Sequence, residues 1–197
     1  MYHPRRIELE PPRRVMIIGS PGSDKTSLGN ILADRLALPF FELQREYWKP
    51  GWVRPEANAW ARRVSELAAG DEWVISGTFP STMDLRVLRA DWIVWIDISG
   101  IVCLSRKLRE MMGRGPVQSA EVAPGCPRRL DLRLLRFTWT FPTMVAPGIA
   151  AMIARERRNR SIFILRSQAD REEFLSRVPT LGGLGRDDVT GGSPPES

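Results

Sequence analysis

Histidine is almost missing from this 197-residue chain: the only one is His3, close to its start. A Ser–His–Asp triad, a Cys–His pair and a histidine-ligated zinc site are thereby excluded from the folded body. Cysteine is nearly as scarce. Cys103 and Cys126 have neither a metal nor a redox spacing, and Cys103 falls in an apolar helical pattern that reads as core. Long apolar runs are also absent: none approaches the ~20 residues that would span a bilayer. Residues 1–14 are charged and proline-bearing and lack an apolar h-region, so they read as a flexible arm rather than a secretory signal. A cytoplasmic location is the corresponding expectation. Lysine is rare too: of 29 basic residues only Lys25, Lys49 and Lys107 are lysines. Chemistry in this protein must rest on lysine, arginine, hydroxyls, carboxylates and backbone amides.

Against those absences stand 43% hydrophobic and 26% charged residues, a composition that suits one α/β domain with a full core. Net charge is +6 and the sequence pI is about 10.1. An arginine excess of this kind fits phosphate ligands, nucleic acid or simply solvated faces. No helix-turn-helix, zinc or RNP motif accompanies it, so nucleic acid is not the expected partner.

The apolar run Val15–Ile18 reads as a central parallel strand buried on both faces. Leu28, Ile31, Leu32 and Leu36 have helical spacing and predict a helix from Lys25 to about Leu36. Further strands are predicted at Leu38–Leu43, Trp73–Ser76, Trp92–Asp97 and Ser161–Leu165. Helices are predicted over 56–69, from Ser81 or Thr82 to Ala90, over 101–112, 130–141 and 147–158, and over 172–178. Residues 47–53 form an aromatic loop, residues 113–128 a Gly- and Pro-rich mobile lid segment, and residues 179–197 a disordered tail. The domain proper is expected over 15–178, as a doubly wound five-stranded parallel sheet with its crevice at the strands' carboxyl ends.

Chemistry concentrates where the first strand meets the first helix. Gly19-Ser20-Pro21-Gly22-Ser23-Asp24-Lys25-Thr26-Ser27 has the layout of a phosphate-binding P-loop, GxxxxGK[ST], with Asp24 in place of the last glycine. Residues 19–27 are therefore the candidate nucleotide-binding residues. Successive loop amides would cradle phosphates, Lys25 would reach the outer ones, and Thr26 would hold Mg²⁺. Asp24 opposes this: a carboxylate ~5 Å from one phosphate charge, at an effective dielectric near 20, repels by roughly 3 kcal/mol, about a hundredfold in affinity.

Several segments together carry a resemblance. They are Tyr47-Trp48-Lys49-Pro50-Gly51-Trp52, Trp73-Val74-Ile75-Ser76-Gly77-Thr78, Asp84-Leu85-Arg86, the stretch Ala123-Pro124-Gly125-Cys126-Pro127 with Arg128-Arg129-Leu130-Asp131, and Ile164-Leu165-Arg166-Ser167. The chain resembles, over about residues 13–178, the adenylate-kinase-like P-loop group labelled topology modulation proteins, close to shikimate and nucleotide kinases. The resemblance implies binding of ATP with Mg²⁺ and phosphoryl transfer to a nucleotide or other small-molecule acceptor. The aromatic loop, with Tyr47, Trp48 and Trp52 as walls, reads as an acceptor pocket or else as a cover on the core. Gln44, Gly77 and Thr78 fall on the same acceptor side, and the resemblance places Arg166 beside the adenine base. It implies phosphate-clamping lid arginines at Arg106, Arg109 and Arg114, which otherwise read as a basic outer face. Arg129, Arg133 and Arg136 form one further stripe at helical spacing.

This chain departs from the family pattern at Asp24, at Gln44 and at Ser76, where acids or glycine are usual. Asp97, ending the fourth strand, is the one substitute acid the sequence offers there, or else a helix cap. A non-catalytic relative, sensing nucleotide or binding a partner, is the second reading of the same residues.

Overall fold

The computed structural model describes residues 9–113, 124–126 and 131–181. Five strands, β1 (Arg14–Gly19), β2 (Phe40–Glu42), β3 (Trp73–Ser76), β4 (Trp92–Ile96) and β5 (Ser161–Leu165), form one sheet in the order β2-β3-β1-β4-β5. Every pairing is parallel. Helices α1 (Lys25–Leu36), α2 (Leu43–Tyr47), α3 (Ala57–Ala69), α4 (Met83–Val87), α5 (Gly100–Met111), α6 (Leu132–Met144), α7 (Ala146–Glu156) and α8 (Gln168–Arg177) flank it. This is the doubly wound α/β architecture expected from the alternating pattern.

The register of β1 explains the layering. Side chains alternate across a strand, so Met16 and Ile18 join Trp60, Val64, Ile75, Trp95, Phe141 and Ile149 on one face. Val15 and Ile17 join Leu28, Leu32, Val74, Val94 and Phe174 on the other. All four β1 residues are fully buried, as a run apolar at every position requires. The chain reverses its winding direction at β1, between β3 and β4. The crevice therefore opens at the carboxyl end of β1, where the glycine-bearing loop begins.

Asp91 ties the start of β4 to the start of β1. Its Oδ2 accepts from the backbone N–H groups of Arg13 and Arg14 at 3.0 and 2.9 Å, and its Oδ1 accepts from Arg14 Nη2 at 2.9 Å. Burial alone would raise this carboxyl's pKa. The guanidinium and the two N–H groups outweigh it and hold the pKa below the usual value. A depressed folded pKa contributes stability above the unfolded value that is lost as pH falls through the folded one. Asp91→Asn should therefore cost about 1 kcal/mol near neutrality, and the gap to wild type in urea unfolding should close as pH drops below about 4.

Some boundaries differ from the sequence reading, each for a local reason. β2 ends at Glu42, because the Glu42 side chain accepts from the Gln44 N–H and caps α2, so part of the expected aromatic loop is helical. α6 runs through Pro142 to Met144 instead of stopping at 141. Pro142 lies in the last turn, and the chain then bends by 47° into α7. α8 begins four residues before the expected 172 because Ser167 and Asp170 form a capping box. α4 ends at Val87, short of Ala90, and the Thr82 hydroxyl bonds the Phe79 carbonyl instead of capping it.

Of the expected arm, residues 1–8 lie outside the described residues, whereas the Leu9 N–H donates to the Arg177 carbonyl. Residues 182–197 of the expected tail lie outside them as well. Among the described residues no single helix is long and apolar enough to cross a membrane.

Candidate functional site

The loop after β1 is built by close approach. Gly22 has φ +82°, and a Cβ there would stand 2.4 Å from the Cys103 carbonyl oxygen on α5. Only glycine lets the loop pack there. At Gly19 a Cβ would meet the Ile96 carbonyl oxygen at 2.6 Å. The Gly19 N–H donates to Thr78 Oγ1 at 3.0 Å, and the Thr78 hydroxyl donates back to the Gly19 carbonyl at 2.6 Å. The turn after β3 thus grips the start of the loop. That turn is itself held from behind by Arg86, fully buried on α4. Its guanidinium donates to the carbonyls of Gly77 at 2.5 Å, Thr78 at 2.6 Å and Phe79 at 3.3 Å.

Asp24 occupies a left-handed position, φ 69° and ψ 36°, as the N-cap of α1. A glycine adopts this conformation at no steric cost, and aspartate is among the few other residues that visit it routinely. Its carboxylate has a partner that the sequence alone does not reveal. Arg171 on α8 donates to Asp24 Oδ2 at 2.5 Å through Nη1 and to Ser27 Oγ at 2.9 Å through Nη2. The two side chains are 28% and 17% exposed, so this pair is screened far less than a surface ion pair. The negative charge that intrudes into the loop is therefore balanced by a fixed positive charge from α8.

The Lys25 ammonium donates to the Ser20 carbonyl at 2.8 Å and lines the cavity described below. Thr26 Oγ1 donates to Glu42 Oε2 at 2.8 Å, and both residues are buried. Glu42 thus brings a carboxylate to the P-loop threonine. This corrects the sequence expectation that Asp97 was the only acid available near the site. The expected strand Leu38–Leu43 placed Glu42 inside the sheet, but β2 ends there, at the carboxyl edge where the crevice lies. Asp97 does not cap α5, whose N-cap is Ser99; it pairs with Arg166 Nε at 3.6 Å. Ser76 is fully buried and brings no charge.

Magnesium in such sites keeps several waters and takes few protein ligands besides substrate phosphate. A threonine hydroxyl backed by a buried glutamate is a donor set that fits it. No cluster of three or more His, Cys, Asp or Glu occurs among the described residues, so no all-protein metal cage competes with this arrangement. The loop fits phosphate as well: Ser23 Oγ is buried with no hydrogen-bond partner among the described residues.

The loop opens into a cavity of about 810 Å³. Gly19, Pro21 and Lys25 line it at the loop, and Gln44, Tyr47, Trp48, Gly77 and Thr78 line it from β2–α2 and the β3 turn. Tyr47 packs edge-on against Trp48 and Trp60, with centroids 5.0 Å apart in each pair. Two segments singled out in the sequence meet at its rim. The Gly51 N–H donates to the Gly125 carbonyl at 2.9 Å, and Cys126 Sγ donates to the Lys49 carbonyl at 3.2 Å. Residues 124–126 are therefore docked on the aromatic segment; the rest of the expected lid, residues 114–123, 127 and 128, lies outside the described residues.

The structure thus brings Lys25, Gln44, Tyr47, Trp48, Gly77 and Thr78 around one space, while Thr26 is buried beside it against Glu42. Arg106 and Arg109 are exposed on α5 and are not among the lining residues. Arg109 bonds the Ser105 carbonyl on its own helix, and Lys107 and Glu110, paired at 2.8 Å, face the cavity instead. Arg114 and Arg129 lie outside the described residues, and Arg133 and Arg136 are exposed. Three functional candidates escaped the sequence reading. Glu42 had a signal, an acid closing a short β-run. Lys107 was hidden by helix phase. Arg171, 147 residues from Asp24, had none.

The chain matches no protein-family model and no curated protein. Among solved structures it is similar to a shikimate kinase from Acinetobacter baumannii in complex with shikimate. That match has 14% identity and a TM-score of 0.54, and covers 83% of this chain and 89% of that one. It is also similar to a gluconokinase from Sinorhizobium meliloti 1021, with 17% identity, coverage of 86% and 93%, and a TM-score of 0.49. The fold is that of a P-loop kinase.

Proposed function

We propose that the protein transfers the γ-phosphoryl group of ATP to a small-molecule acceptor. The observation that supports this best is the charge-balanced loop, Asp24 held by Arg171, opening directly into an acceptor-sized cavity. In this reading the amides of residues 20–25 cradle the phosphates and Lys25 neutralises the outer ones. Thr26 and Glu42 hold Mg²⁺, which supplies further charge neutralisation when bound. Gln44, Tyr47 and Trp48 position the acceptor. Its hydroxyl oxygen forms a bond to the γ-phosphorus as the bond to the bridging oxygen of ADP breaks, and the hydroxyl proton passes to solvent. The family resemblance assigns Arg114 to the transferring charge and Arg166 to the base, whereas Arg106 and Arg109 do not line the cavity.

A second reading, nucleotide binding without turnover, is favoured by one observation: Ser76, at the end of β3, is buried, uncharged and without a hydrogen-bond partner among the described residues. Calorimetry with Mg·ATP, followed by an ADP-release assay, separates the two. Wild type should bind at micromolar levels, and Lys25→Ala should bind roughly a hundredfold more weakly. Binding with no ADP formed from any acceptor favours the second reading, and no binding by wild type contradicts both.

A further inference from the structure

The shikimate kinase that shares this fold holds shikimate, but much of this cavity's wall is unsuited to a polyhydroxylated acceptor. Its wall is aromatic along much of its length: Tyr47, Trp48, Trp52, Phe79 and Phe137 all line it. Tyr47 and Phe79 lie 5.1 Å apart, and Trp48 and Trp52 5.3 Å apart, in tilted and edge-on contacts that fix the rings as a frame. Several of its polar groups are committed elsewhere. The Thr78 hydroxyl serves Gly19, Lys107 is paired with Glu110, and Asp131 caps α6 by accepting from the N–H groups of Arg133 and Leu134. A polyol closed against the aromatic wall would leave the hydroxyls that face it without partners, each weakening binding about tenfold or more.

Two cations on the wall are not committed in this way. Arg45 and Arg54 line the cavity and have no carboxylate partner among the described residues. The Arg54 guanidinium lies 5.6 Å from the centroid of the Trp48 ring. A cation over a ring face at this distance makes a cation–π contact, and a guanidinium with no carboxylate partner suits a carboxylate or phosphate oxygen pair.

We infer that the acceptor is a flat, ring-bearing anion, an aromatic or heteroaromatic compound with an acidic group and a hydroxyl, and not a polyhydroxylated acid. The ring stacks within the Tyr47, Trp48, Trp52 and Phe79 frame, and Arg54 reads the acidic group. This inference rests on the kinase reading for the hydroxyl's fate, but its binding half can be measured without ATP.

The test uses the full chain and the fluorescence of Trp48 and Trp52, with calorimetry as a second readout. The probes are 4-hydroxybenzoate, its neutral amide, shikimate and gluconate, each with and without Mg·ATP. The aromatic acid should quench and bind at least tenfold more tightly than its amide or either polyol. Arg54→Gln should erase the preference for acid over amide while leaving amide binding unchanged, a pattern that loss of structure would not give. Trp48→Leu should weaken both acid and amide, and the acid further, because Arg54 loses the ring it lies over. Tighter binding of shikimate or gluconate, an acid-over-amide preference that survives Arg54→Gln, or failure of the aromatic acid to bind would each overturn the inference. If the aromatic acid binds as described while Mg·ATP does not bind at all, the acceptor class stands and the phosphoryl-transfer reading falls.

Discussion

Arg86→Met is expected to lower the stability of the whole domain by roughly 3–5 kcal/mol. Arg86 is fully buried and donates to three consecutive backbone carbonyls, those of Gly77, Thr78 and Phe79. Methionine fills a similar volume but leaves those oxygens without their donors, at about 1–3 kcal/mol each before relaxation. The same carbonyls shape the turn from which Thr78 grips Gly19, so loop geometry and Mg·ATP affinity should fall together. Arg86→Lys should not rescue the loss, because one ammonium cannot reproduce a planar fork aimed at several acceptors.

Burial pushes this guanidinium well below its ordinary value, down to about 9. Because the folded value lies below the unfolded one, the side chain carries its proton in both states through the neutral range. Its contribution should be constant between about pH 6 and 8, and the folded state should gain only as pH rises above about 9. Urea unfolding of both variants across that range checks the magnitude and the flat profile. A gap below about 1 kcal/mol would show that the turn holds without Arg86.

The sheet and the loop were legible from local signals: an all-apolar run for β1, glycines and Lys-Thr for the phosphate turn, and helical spacing for α1. The sites that matter most were not, because they are made by pairing across the chain. Glu42 was hidden by a boundary error of one residue at β2, since nothing local showed that its side chain would turn back to cap α2. Arg86 stood in view but without a role, because its partners are carbonyls, which every residue has. Arg171 carries no pattern at all; its meaning comes only from α8 packing beside the start of α1. Asp24 by itself argues against phosphate binding. With Arg171 at 2.5 Å it becomes half of a neutral pair.

That pair yields the second large effect and the central test. Removing Arg171 should leave the Asp24 carboxylate uncompensated beside the phosphates, a repulsion of roughly 3 kcal/mol at ~5 Å and an effective dielectric near 20. Removing the carboxylate alone should leave the Arg171 guanidinium uncompensated and raise affinity, so the two single changes should move it in opposite directions. The decisive measurement is a double-mutant cycle of Mg·ATP affinity by calorimetry on wild type, Asp24→Gly, Arg171→Met and the combined variant. The expected result is a loss of about tenfold to a hundredfold for Arg171→Met, a gain for Asp24→Gly, and near-wild-type affinity for the combination. No gain from Asp24→Gly alone, or an Arg171→Met loss that Asp24→Gly fails to restore, would contradict a charge-balanced phosphate loop.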